Sequence, residues 1–222
     1  MHTSRRLAAS AVLALAAAGP ALADPLDPLE PHVTVLGVTV EKTTMLEAVA
    51  LLGTTEVRHN GLDACEGATS ACYAGRDGTV LLLSSHDEMG GGTIITNFQL
   101  VERKPLIDQE EAAEPDEPVP AMPRCTLLRR LSRATATAGG LRLGMSLDEV
   151  LRLLGAPEKA RPERLEFMSM TEQPMTPEQL EALSAVTHRH LKDARMTRLR
   201  TVSVELVDGR VTAIRAYQVT AW

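Results

Sequence analysis

The sequence predicts an α+β fold built as two tandem repeats, each with short helices packed on a small antiparallel sheet. Three observations predict it. Thr44-Met-Leu-Glu47 and Ser146-Leu-Asp-Glu149 are both capping boxes, in which hydroxyl and carboxylate satisfy each other's free backbone amides. Behind each box lies an apolar stripe at helical spacing: Met45, Ala48, Val49 and Leu52 first, then Leu147, Val150, Leu151 and Leu154. A glycine stops each stripe, Gly53 and Gly155, and paired strand-like runs follow each one. Cap, stripe, stop and following hairpin recur together, which argues for duplication of one unit.

Both helices are short. About eight residues make a helix roughly 12 Å long, which is not stable unsupported and must lie on a sheet. In the second copy Met145 and Val150 form a hydrophobic staple, Gly155 is expected as a left-handed cap, and Pro157 prevents the helix from resuming.

The remaining elements follow in order. Residues 1–23 read as a signal peptide, with Arg5 and Arg6, an apolar run from Leu7 to Ala18, and an Ala21-Leu22-Ala23 cleavage site. The apolar run is too short to span a bilayer, which takes about 20 residues. Repeat 1 covers 24–101: a short strand in His32–Val40, the Thr44–Leu52 helix, loop from Arg58 to Ser70, and antiparallel strands Thr79–Ser84 and Thr93–Val101. Residues 102–124 form an acidic, proline-rich linker around Glu110–Pro120 that has little to bury. Repeat 2 covers 125–222. It opens with a basic helix in Thr126–Arg133 and a strand in Thr135–Leu143, and later has a strand at Leu165–Met170. Thr176 with Pro177 at N1 starts a helix reaching about Lys192. Asp208-Gly209 between alternating runs predicts a type I′ hairpin. In that register Val202, Val204, Leu206, Val211 and Ala213 share one face, with Ile214 and Val207 breaking the pattern.

Composition excludes several functions. Removing residues 1–23 takes away two arginines and no acid, so the net charge of −6 becomes −8. An acidic chain with two Phe, two Tyr and one Trp lacks both the phosphate-neutralising charge and the stacking rings of a nucleic-acid binder. No cysteine closes the signal segment, so no lipid anchor is expected, and the product is expected in the periplasm or outside the cell. Cys65, Cys72 and Cys125 form an odd set in an oxidising compartment. Loop-closure entropy favours Cys65–Cys72, while Cys72–Cys125 would tie repeat 1 to the start of repeat 2. Both remain open from sequence.

The run GMSLDEVLRLLGAP (Gly144–Pro157), followed by the terminal VELVDGRVTAI (Val204–Ile214), resembles the small outer-membrane lipoproteins of the SmpA/OmlA (BamE) type. Duplicated in one exported chain, it is also similar to the β-lactamase inhibitor protein superfamily. The resemblance implies two helices on a three- or four-stranded antiparallel sheet, and roles in protein binding without catalysis. No residue role carries over from either group.

The chemistry-bearing clusters are few. His188 and His190 lie two apart, on opposite sides of any helix, which favours a solvated surface over a metal pair. His86-Asp87-Glu88-Met89 precedes three glycines and reads first as an expanded hairpin tip. A metal-binding or enzymatic role for His86–Glu88 is the least favoured alternative. There is no nucleophile motif, zinc motif, phosphate loop or C-x-x-C pair, so no catalytic residue, metal or cofactor is expected. The expected function is a non-enzymatic module that binds another cell-envelope protein, with His86, Asp87, Glu88 and Met89 as candidate contacts. Inhibition of a secreted hydrolase is the alternative.

Overall fold

A computed structural model describes residues 27–63, 66–86, 93–102, 124–188 and 194–221. The predicted signal peptide and nearly all of the linker lie outside them. A 3₁₀ turn at Glu30–Val33 leads into β1 (Thr34–Val35), β2 (Val38–Thr39), α1 (Met45–Leu52), β3 (Val57–Asp63), β4 (Glu66–Ala74), β5 (Val80–His86) and β6 (Asn97–Val101). Then come β7 (Thr126–Leu127), α2 (Leu147–Leu154), β8 (Lys159–Arg161), β9 (Arg164–Pro174), α3 (Pro177–Thr187), β10 (Arg195–Val207) and β11 (Arg210–Ala221).

Both predicted capping boxes form. The Thr44 amide donates to the Glu47 carboxylate at 2.8 Å, and the Glu47 amide to Thr44 Oγ1 at 3.2 Å. The Ser146–Glu149 pair repeats this at 2.7 and 3.3 Å. Gly155 stops α2, but not as a left-handed cap: its φ of 82° and ψ of −151° fall in an extended positive-φ region that is essentially restricted to glycine.

The expectation of two tandem repeats, each with its own small sheet, is overturned. Nine of the eleven described strands form one sheet in the order β3-β4-β5-β6-β11-β10-β9-β8, with β7 alongside β4, while β1 and β2 pair with each other in a separate two-stranded sheet. The join is β6 against β11, antiparallel from Asn97↔Tyr217 to Val101↔Ala213. Phe98 and Leu100 sit beside Ala216 and Ile214 across this join, and all four are fully buried. Separate sheets would leave two buried strands with bare backbone edges. What recurs is local. Each capped helix hangs from the residues preceding a joining strand: the Met45 amide donates to Thr93 O at 2.6 Å, and the Leu147 amide to Gly209 O at 3.1 Å.

Several element assignments change with it. Arg58–Ser70, expected as loop, contributes to β3 and β4, because pairing with β5 compensates for poor local strand propensity. Thr126–Arg133 is no helix: Thr126 and Leu127 run parallel to β4 and a turn follows. His32–Val40 is a tight β1–β2 hairpin turning at Leu36-Gly37, not one strand. The helix opened by Pro177 ends at Thr187.

The Asp208-Gly209 turn forms with both residues at positive φ, 52° and 70°, as a type I′ turn requires. Above it a bulge pairs Glu205 with Ala213 but Leu206 with Val211, leaving Thr212 as the extra residue. The bulge corrects the predicted face. Val202, Val204, Leu206 and Val211 stay together and are joined by Ile214 and Ala216, while Ala213 turns to the opposite side.

The main core lies on the first face, where α1, α2, the β1–β2 hairpin and Leu128–Met145 cover the sheet. Tyr73 belongs to it and donates its hydroxyl to Gly53 O at 2.9 Å, fastening the end of α1. On the second face a small cluster gathers Cys72, Val80, Leu82, Val101 and Ala213 against Cys125. Cys72 is bonded to Cys125, with Cα atoms 4.4 Å apart. The bridge expected first, Cys65–Cys72, is therefore not the one formed; the alternative, which joins the two halves, is. Cys65 lies outside the described residues. The reason loop entropy does not decide is geometric: β4 runs extended from Glu66 to Cys72, about 20 Å at roughly 3.3 Å per residue, too far for a disulfide to bridge.

Candidate functional site

The contacts expected from the sequence are only partly visible. His86 ends β5, where it pairs with Ala68 of β4. Asp87, Glu88 and Met89 lie outside the described residues. His188 closes α3 in a left-handed conformation with φ 55°, and His190 is not among the described residues. No group of three or more metal-ligating side chains occurs among the described residues.

Two features that sequence reasoning missed stand out instead. The first is a buried polar row crossing the main face where the apolar core ends. Ser169 on β9, Arg200 on β10 and Gln218 on β11 are neighbours in register. The Arg200 Nε donates to Gln218 Oε1 at 2.7 Å, and its Nη1 is paired with Asp27. Ser169 also donates to Asp27 at 2.8 Å. Burial alone would raise the Asp27 pKa, but the Leu29 amide, the Ser169 hydroxyl and the Arg200 guanidinium outweigh it and hold the carboxyl below its usual range. The row continues from the Gln218 amide to Glu41, which accepts from the Thr220 backbone amide at 2.9 Å.

Above this row lies a cavity of about 340 Å³ lined by Asp27, Glu30, Thr34, Thr39, Lys42 and Arg200 among others. Its polar groups are already engaged with one another. Thr34 meets Thr39 at 3.0 Å and Lys42 meets Glu30 at 3.7 Å. Such a network positions the N-terminal segment on the sheet and leaves little to receive a ligand.

The second feature is the outer part of the second sheet face. Met170, Leu199 and Val219 form one row across β9, β10 and β11, and Met168, Thr201, Tyr217 and Asn97 form the next. Met170 is 70% exposed, Met168 45% and Tyr217 37%. The following rows are charged but internally paired, Arg164 with Glu166 at 3.2 Å and Arg215 with Glu205 at 3.4 Å. Burial pulls the Arg215 pKa down. Beyond them the Cys72–Cys125 cluster closes the face. These apolar, accessible rows lie on β9–β11. Its signal in the sequence was the alternation of Leu165 and Phe167 with Met168 and Met170, which shows two apolar sides to one strand.

The nearer sheet edge is a poor contact. β8 has three residues, all exposed, including Lys159 and Arg161, and short basic edges resist strand addition. No described helix is long and apolar enough to cross a membrane. Compared with protein-family models, curated proteins and solved structures, the chain shows no match to any.

Proposed function

We propose that the chain is a non-catalytic module that binds another protein of the cell envelope through the open sheet face at Met168, Met170, Leu199, Tyr217 and Val219. One observation carries the reading: a contiguous apolar patch stands exposed on rigid, internally paired strands. Exposed apolar patches mark interaction sites. Methionine adapts its shape to a partner, and tyrosine supplies rigid contact area. The bordering charges pair with each other, so the partner is expected to present an apolar surface rather than a charged one. The predicted export signal and the lipoprotein and inhibitor resemblance support the same kind of role.

The test is crosslinking from a photoreactive residue placed at Met170, in envelope extract, against a control at Glu178 on α3. A single stoichiometric adduct at position 170 that disappears with Met168→Asp is the expected result. Equal crosslinking from both positions, or an adduct indifferent to Met168→Asp, would place the contact elsewhere. Assays of the captured partner's activity with and without this chain then separate an inhibitor from an adaptor.

A further inference from the structure

His32 occupies an unusual place. Its side chain belongs to the 3₁₀ turn at Glu30–Val33 and is 3% exposed. The ring lies flat against Gly139, so close that a Cβ there would come within 2.3 Å of Cε1 and 2.7 Å of Nδ1. Only a glycine permits that approach. Nδ1 meets Thr137 Oγ1 at 3.1 Å, and the same oxygen accepts the Leu141 amide at 3.1 Å. Around the ring the backbones also join: the Ala138 amide donates to Thr34 O at 2.8 Å and the Gly139 amide to Pro31 O at 3.0 Å. The imidazole is therefore the side-chain centre of a seam between the N-terminal segment and the 136–141 turn, two parts of the chain about a hundred residues apart.

We propose that His32 is an acid-sensitive latch: the neutral imidazole holds residues 30–35 on the 136–141 turn, and a proton on the ring releases them. Among the described residues, the charges near the seam are engaged with one another. On its own side Asp27 is paired with Arg200, and Glu30 faces Lys42 and Arg200. On the facing segment Arg133 is paired with Glu102, and Arg142 lies towards Glu149. Burial lowers the His32 pKa below its ordinary value of 6.5. The unfolded chain then takes up the proton before the folded one does. The stabilisation is fully present above the ordinary histidine value, is lost as pH falls from there towards the folded value, and levels off below it. The seam bears on the core, since Val33, Val35 and Leu141 beside it are buried at 1%, 0% and 0% exposure.

Amide hydrogen exchange at Ala138 and Gly139, combined with an NMR titration of the His32 ring in the intact chain, tests this. Protection of both amides, corrected for intrinsic exchange, is expected to fall about tenfold for each unit by which the ring's pKa is depressed. His32→Gln should remove that pH dependence. Ring titration at or above the ordinary value would overturn the latch, as would pH-independent protection or an unchanged pH dependence in His32→Gln. Should His32→Gln fail to fold, the wild-type titration alone decides.

Discussion

At the scale of single residues, the local grammar of caps and stops is nearly all visible in the sequence, because each such device is completed within four residues. Gly155 is an instructive exception. A stop was readable there, but the conformation adopted, φ 82° with ψ −151°, is one that β-carbons disfavour, and open space surrounds the place where a Cβ would stand. Gly155→Val should therefore cost backbone strain without collision, about 1–3 kcal/mol, read as a lower melting temperature. Unchanged melting would show that the α2 stop tolerates a β-branched residue. Asp27 is the opposite case. Its partner Arg200 is 173 positions away, and no pattern in the sequence links them. Asp27→Asn leaves Arg200, 2% exposed, without its closest ion-pair partner, with Glu30 remaining at 3.7 Å, and should destabilise by about 3 kcal/mol. Since Asp27 titrates below its usual range when folded, its contribution is present above the unfolded carboxylate value and lost as pH falls through the folded one. Acid unfolding curves of wild type and Asp27→Asn should accordingly converge at low pH.

At the scale of elements, what could be read depended on whether an element carries its own signal. The Asp208-Gly209 hairpin does, through its turn residues and its alternation. The bulge at Thr212 does not, since the extra residue shows only once a register is imposed by β10; Ile214 looked like a defect in the pattern and is a core residue. β3 and the Glu66–Ser70 part of β4 were missed for the same reason, being strand by virtue of their neighbours. The disulfide belongs here too, because it fastens the Cys125 segment to the second face beside Val101 and Ala213. It closes a separation of 53 residues. Cys125→Ser should lower stability by about 2–4 kcal/mol, measured by denaturant unfolding under oxidising conditions. Equal stability with and without the bond would mean that β7 and the small cluster hold that segment unaided.

At the scale of the molecule, the sequence pointed to two units and the structure has one nine-stranded sheet spanning both halves, a difference that turns on a single pairing. β6 and β11 each present an apolar face that continues across the join, yet they are more than a hundred residues apart, so nothing local announces that they meet. Their pairing also explains why the N-terminal segment can reach across: Glu41 accepts from Thr220 at the far end of β11, and Asp27 is buried against β10. Each half thus completes the other's core. Residues 27–102 and 124–221 produced as separate chains should each lack a cooperative transition, because each would expose a long strand edge and apolar rows normally covered. Deleting Glu110–Pro120 from the intact chain should instead leave one cooperative transition with nearly unchanged midpoint, since that run has almost nothing apolar to bury and the disulfide fixes the chain soon after it. Calorimetry distinguishes these outcomes. Two independently melting halves would return the molecule to a pair of autonomous units, and a marked loss of stability on the deletion would show that the acidic run contributes to the fold.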